Sequence, residues 1–274
     1  MLHKFSIITP SFNQARFLEE NIKSVLDQQY PSAEHIIIDG GSTDGTLAIL
    51  KKYPHLQWVS EPDRGQAHAL NKGIAKANGE IIGWINSDDG YLADTLTEVA
   101  ELFERPDVMV VYGDGDEIDE SSTLLRTIVP CGIERESFIR YWWWQYEYCQ
   151  PSFFFRHQAL QRVGFLNENL HYTMDHDLLI RLIGEYEFTY LPKRLSYYRL
   201  HGHSKTGTTH RMVIPTSVWE LHKVSRSYWG SPREWRYYSY LFSFFGGILL
   251  SFVKNIFFIR HSKSRAYLQR LVAK

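Results

Sequence analysis

A chain of 274 residues with 44% hydrophobic and 22% charged side chains can bury a large core, which excludes a disordered chain and fits one large domain or one domain with an appendage. A formal net charge of −1 makes no case for nucleic acid as a partner. Two cysteines, Cys131 and Cys149, give neither a disulfide framework nor metal-ligand spacing, so a reducing cytoplasm is the expected setting. The opening KFSIITP contains no long apolar stretch of the signal-peptide kind.

In chain order, short β-rich runs stand at 4–9, 34–39, 56–60, 80–86 and 108–113. Several are continuously apolar, as strands covered on both faces should be. Helical stripes lie between them: Leu18, Ile22, Val25 and Leu26, then Ala67, Leu70, Ile74 and Ala77, then Leu92, Leu96, Val99 and Phe103. From 115 to 210 the pattern is mixed. Runs at 152–155 and 187–192 read as strands, and a short helix carrying Leu178, Leu179, Leu182 and Ile183 opens at MDHD (174–177). Beyond about 211 the chain reads as helical, which places a boundary near 210. Strand–helix–strand alternation with short links predicts an α/β fold: an open, mostly parallel sheet flanked by helices, with a helical C-terminal appendage.

Ligands of such sheets bind outside the carboxyl ends of the strands. The four links that follow the first four strands are TPSFNQ (9–14), DGGSTDGT (39–46), EPDRGQ (61–66) and NSDDGY (86–91). All are rich in Asp, Asn, Ser, Thr and Gly and should converge on one polar rim. Adjacent carboxylates at Asp88 and Asp89 are hard oxygen ligands suited to Mg²⁺ or Mn²⁺ completed by water and phosphates; alternatively one of them caps the next helix. Asp39 and its glycines either face a base and ribose or form a strand–turn–helix corner with no ligand. Neither the dinucleotide fingerprint nor a P-loop is present.

The segments SIITPSFNQ, LDQQYPSAEHIIIDGGSTDGT, SEPDRGQAHALNKG, GEIIGWINSDD and MDHDL, in this order, resemble a family 2 glycosyltransferase of the GT-A fold over about residues 4–205. The resemblance implies transfer of a sugar from a nucleotide-diphosphate donor to an acceptor hydroxyl with inversion, in surface polysaccharide or glycolipid assembly. It implies a catalytic domain over 1–210, with a nucleotide-binding half at 1–115 and an acceptor half at 116–210. Thr9, Pro10 and Ser11 then line the first nucleotide loop, Asp39 recognises the base, and Asp63 faces the nucleotide. Asp88 lies toward the ribose or a metal-bound water, Asp89 ligates Mn²⁺ or Mg²⁺, His201 is the second ligand and Arg199 contacts the diphosphate. Asp175 is the base, with Asp177 as its competitor or a helix-dipole partner. His68 departs from the acidic residue expected at its place, which leaves an acceptor-binding role there in doubt.

The aromatic stretch 138–155 offers Trp142–Trp144, Gln150 and Ser152 to an acceptor sugar, against the alternative that it packs a core. After Glu234 come seven cations and no acid, with an uncharged run at 240–253. That tail, 211–274, reads either as a peripheral contact with the inner face of the plasma membrane, near a glycan or lipid-linked acceptor, or as a hairpin packed on the domain or across a homodimer. The rival functions are a nucleotidyltransferase and a non-catalytic nucleotide-sugar-binding subunit.

Overall fold

A computed structural model describes residues 2–143, 146–202, 204 and 216–247. Strands β1 (Phe5–Ser11), β2 (Ala33–Asp39), β3 (Gln57–Ser60) and β4 (Ile81–Trp84) pair in parallel in the order β3-β2-β1-β4. Every residue of β1 is buried, and Ile36, Ile37 and Ile38 of β2 are buried as well, because helices cover both faces. Helix α1 (Leu18–Leu26) turns Leu18, Ile22 and Val25 inward, and α2 (Thr46–Leu50) follows β2. Helix α3 (Gln66–Lys76) lies so close to β1 that a Cβ on Gly73 would stand 2.4 Å from the Ile8 side chain, so only glycine fits there.

Beyond β4 the sheet is mixed. The short β5 (Gly90–Tyr91) leads to α4 (Thr95–Phe103), then β6 (Val110–Ile118) and β7 (Leu124–Ile128), an antiparallel pair. After α5 (Arg135–Ile139) come β8 (Phe153–Arg156), α6 (His157–Val163), α7 (Met174–Glu185) and β9 (Phe188–Arg199). Strand β8 runs antiparallel between β4 and β6, β9 runs parallel to β6, and β5 closes the order on the far side of β9. The parallel half is thus the first half of the chain, and the sheet curls back so that the segment after β4 meets the end of β9.

Four elements differ from the sequence reading, each for a physical reason. Strand β9 does not stop at Pro192. The register with β6 jumps from Gly113–Leu191 to Asp114–Arg194, so the proline sits in a bulge where its missing N–H costs no ladder bond. Strand β6 continues through the polar DGDEI, because β7 and β9 on either side take up its backbone groups. Strands β5 and β7 carry no apolar alternation long enough to mark them.

The described residues of the C-terminal part form α8 (Thr216–Ser227) and a helix over 235–247. It packs on the start of the aromatic stretch. Trp229 and Tyr240 are almost wholly buried, Trp142 meets Trp229 edge-on at 5.8 Å, and both Trp142 and Trp143 donate their indole N–H to Ser243 Oγ, at 3.2 and 2.9 Å. Trp142 and Trp143 therefore serve this packing, while Trp144 lies outside the described residues. The second half of the 240–253 run also lies outside them. Among the described residues no helix is long and apolar enough to cross a membrane.

Candidate active site

The carboxyl ends of β1, β2 and β4 share one edge, and a cavity of about 560 Å³ opens beside it. Its floor is the turn after β4. Asn21 on α1 clamps that turn, its side-chain amide donating to the carbonyls of Asn86 and Asp89 at 2.9 and 3.0 Å. Gly90 follows because a Cβ there would stand 2.2 Å from the Tyr197 hydroxyl. Asn86, Ser87, Asp88 and Asp89 all line the cavity.

The two acids of this turn are held differently. Asp88 meets His201 through an Oδ2–Nε2 contact of 2.9 Å, and the His201 ring leans on Phe17 at 4.9 Å. Asp89 is only 4% exposed, and both its oxygens are engaged. Oδ1 accepts from the Arg199 backbone N–H at 3.1 Å, and Oδ2 accepts from the Asn86 amide at 2.9 Å. Burial first, and the neighbouring Asp88 charge second, push its carboxyl well above the usual carboxylate range. His201, expected as a metal ligand together with Asp89, lies against the adjacent acid Asp88.

The Arg199 charge offsets part of that push, drawing the Asp89 carboxyl back down, and its guanidinium also ties the turn together. The group is buried, donating to the carbonyls of Asp88 and Asp119 at 3.2 Å each and to Ser122 Oγ at 2.9 Å. It pairs with Glu20 at 2.8 Å and lies over the Phe17 ring. Arg199 thus holds the turn and also lines the cavity.

On the first strands, Pro10 and Ser11 line the cavity, and Ser11 Oγ is buried with no partner among the described residues. Thr9 lies behind the wall, its hydroxyl 2.9 Å from His35 Nε2. Asp39 also lies behind it: its carboxylate accepts from the Gly41 and Ser42 amides at 3.2 and 2.9 Å, from Ser60 Oγ at 2.6 Å, and from Ser42 Oγ. Those bonds shape the loop after β2. Asp63 lines the cavity, and its Oδ1 accepts the Gly65 N–H at 2.7 Å. His68 is not among the lining residues; its Nδ1 accepts the Arg64 N–H at 3.1 Å.

Asp175 stands in the first turn of α7 and lines the same cavity. Tyr148 O–H donates to its Oδ2 at 3.1 Å. Burial and the Asp175 charge push the Tyr148 phenol far above its ordinary value, so it stays a donor. Asp177 turns away to Arg181, at 3.0 and 3.1 Å, and does not line the cavity. Asp175 thus shares one space with Asp88 and Asp89, more than 80 positions earlier in the chain, with His201 bonded to Asp88.

Gln150, offered by the aromatic stretch, lines the cavity, as do residues that the sequence did not single out. Gln66 Nε2 donates to Asn86 Oδ1 at 2.6 Å, and Gln150 Nε2 donates to the Trp84 carbonyl at 3.1 Å, a polar network around the acid turn. His171 and Tyr172 form the rim before α7, and Phe12, 59% exposed, stands at the mouth. The polar links already pointed to Gln66 and Asn86, but nothing in local sequence singles out His171 or Tyr172.

The donor set suits a hard divalent ion. Asp88 Oδ2 and His201 Nε2 meet beside a buried second carboxylate. Among the described residues no three acidic, histidine or cysteine side chains are already gathered as a closed metal cage, so phosphate oxygens and water would complete the coordination.

An open, half-parallel sheet flanked by helices, with paired acids after its fourth strand, defines a GT-A-type α/β protein. The profile of glycosyl transferase family 2 matches residues 6–164, and the chain belongs to that family. TuaG of Bacillus subtilis, a glycosyltransferase assigned to teichuronic acid biosynthesis, is 39% identical over 107 residues, 36% of this chain and 42% of TuaG. Matches to this and similar curated glycosyltransferases span 41–44% of those proteins' length. The chain superposes on Staphylococcus aureus TarS 1-349 in complex with UDP-GlcNAc with a TM-score of 0.64 at 18% identity, covering 82% of this chain and 66% of that one. It superposes on the mannosyltransferase PcManGT of Pyrobaculum calidifontis, in complex with GDP-Man and Mn²⁺, with a TM-score of 0.57 at 17% identity, covering 91% and 74%.

Proposed function

We propose that this chain is an inverting, metal-dependent glycosyltransferase that moves a sugar from a nucleotide-diphosphate donor to an acceptor hydroxyl in surface polysaccharide or glycolipid assembly. The observation that carries this reading is the convergence of Asp88, Asp89 and Asp175 on one cavity, with His201 bonded to Asp88. Solved proteins of the same fold bind UDP-GlcNAc, or GDP-Man with Mn²⁺, and TuaG is assigned to teichuronic acid, which supports the donor class and the pathway class.

The nucleotide half is residues 1–115. Pro10, Ser11 and Asp63 face the donor, the buried Ser11 Oγ finding its partner there, and the Phe12 ring offers a face to the base. Thr9 and Asp39 shape these loops from behind, with Asp39 tying the loop after β2 to Ser60. Asp88 and His201 would hold Mn²⁺ or Mg²⁺, with Asp89 as a second negative charge beneath and Arg199 holding the turn. Bound there, the ion would offset charge developing on the departing diphosphate. In the acceptor half, 116–210, Asp175 takes the proton of the acceptor hydroxyl as its oxygen bonds to the anomeric carbon and the sugar–phosphate bond breaks. Tyr148 fixes one oxygen of Asp175 during this step. A single displacement needs no protein nucleophile and inverts the centre.

The test is a panel of UDP-, GDP- and dTDP-sugars read by thermal shift with and without Mn²⁺, and by nucleoside diphosphate release with acceptors. One donor should stabilise the protein only with the ion, and turn over when an acceptor is added. Stabilisation without turnover against any acceptor would instead favour the non-catalytic binding subunit.

The tail, 211–274, is assigned to the membrane surface. On the helix over 235–247, Trp235, Tyr238, Phe242 and Phe245 follow one another at spacings of three, four and three, and all four are exposed, Trp235 at 78%. Such a stripe beside a basic, acid-free segment fits an anionic interface. Changing Trp235, Phe242 and Phe245 together to serine should abolish co-sedimentation with phosphatidylglycerol vesicles and leave turnover of a soluble acceptor intact. Unaltered sedimentation would return the stripe to a protein contact.

A further inference from the structure

We infer that Glu220 is a positioning residue for the acceptor wall of the cavity, an inference that rests on the transfer reading above. Three consecutive backbone amides converge on its carboxylate. The His171 N–H lies 3.0 Å from both oxygens, the Tyr172 N–H lies 2.7 Å from Oε2, and the Thr173 N–H lies 3.3 Å from it. The Thr173 hydroxyl adds a fourth contact at 3.4 Å. These groups belong to the turn that enters α7, and the last of them stands two residues before Asp175.

The arrangement solves a problem that the sequence sets locally. Amides at and before a helix start have no intrahelical acceptor and carry the positive end of the helix dipole. Thr173, at the N-cap, makes no side-chain cap bond to α7. The acceptor comes instead from α8, nearly 50 residues later, and it is charged, which makes each bond about twice as strong as a neutral one. Consecutive amides around one anion form a concave nest.

Helix α8 is itself anchored. Ser225 Oγ donates to the Ile139 carbonyl at 2.5 Å, Trp229 donates its indole N–H to Ser225 Oγ at 3.0 Å, and Val224 is buried in the core shared with α5 and α7. Glu220 therefore ties the turn to a fixed support. His171, Tyr172, Met174 and Asp175, the wall on which an acceptor would rest, are placed by that tie. Glu220 does not line the cavity, so its effect runs through their geometry. Nucleophile and base must meet within a fraction of an ångström, and a displacement of 1 Å costs about a hundredfold in rate.

The full chain, Glu220→Ala and Glu220→Gln are compared with the donor identified above. The alanine variant should lose about a hundredfold in kcat and raise the acceptor KM. Its donor KM should stay unchanged, a split that general loosening of the fold would not give. Glutamine, which keeps an accepting oxygen, should recover most of the loss. Amide hydrogen exchange at 171–173 should speed up by about tenfold in the alanine variant while β1 and β4 stay protected. Unchanged kcat in a folded Glu220→Ala, or unchanged exchange at those amides, would overturn the inference. If alanine prevents folding, the glutamine variant decides instead: it keeps an oxygen but loses the charge, so exchange at 171–173 should still run faster than in the unchanged chain, and unchanged exchange would overturn the inference. If the full chain itself turns over no donor, the transfer reading fails, and the exchange measurement still decides whether Glu220 holds the turn.

Discussion

Asp175→Asn should fold normally, bind donor with unchanged affinity and lose roughly a thousandfold in kcat, the middle of the range for removing a general base. Asparagine keeps the size of the side chain and an oxygen for the Tyr148 hydroxyl, which now donates to Asp175 Oδ2 at 3.1 Å. It cannot take a proton from an acceptor. The loss should therefore appear in kcat with saturating donor and acceptor, with no change in the donor-induced thermal shift. Asp177→Asn is the internal control, since the two acids share one helical turn and differ in what they face. Its carboxylate is paired with Arg181 four residues on, at 3.0 Å, and lies off the cavity. That change should cost at most about 1 kcal/mol of stability and leave turnover intact. Near-normal kcat in Asp175→Asn, or the larger loss falling on Asp177→Asn, would take the base away from Asp175.

Asp88→Asn and His201→Gln should each abolish the Mn²⁺-dependent part of the donor-induced thermal shift. Each should lower kcat/KM by at least about a hundredfold, close to 3 kcal/mol. The turn itself should survive the first change, because Arg199 holds it through the Asp88 carbonyl and not the side chain. The two side chains meet at 2.9 Å, so their contributions should be strongly non-additive, the double variant being little worse than the worse single one. Independent, fully additive losses would mean that the pair does not act on a common group. A wild-type protein indifferent to divalent ions would end the metal reading altogether.

Much of the architecture was legible because the physics that produces it is local or nearly so. Residues 34–39 and 80–86 read as buried strands because unbroken apolar runs can only be covered on both faces, and the stripe Leu18, Ile22, Val25 marks the helix that covers them. Four polar links after four parallel strands have to share an edge, whatever their sequence separation. The site residues were harder. Asp88 and Asp89 are neighbours in the same turn, and which of them meets His201 depends on the Arg199 backbone N–H and the Asn86 amide, which hold Asp89. Asp39 read either as facing a ligand or as shaping a corner, and its bonds to Ser42 and Ser60 come from a distant strand as well as its own loop. The polar half of β6 and the passage of β9 through Pro192 were invisible because their backbone partners come from distant strands.

The amino-acid order alone determined the α/β class, the parallel first half and the set of acids available for chemistry, since hydrophobic period and turn composition act over a few residues. Only the tertiary structure decided which carboxylates face the cavity, that the Arg199 guanidinium is tied into a turn, and that Glu220 anchors the approach to Asp175. Those outcomes depend on contacts between segments tens of residues apart. There the partner of a polar group is set by how the sheet curls and not by its neighbours in the chain.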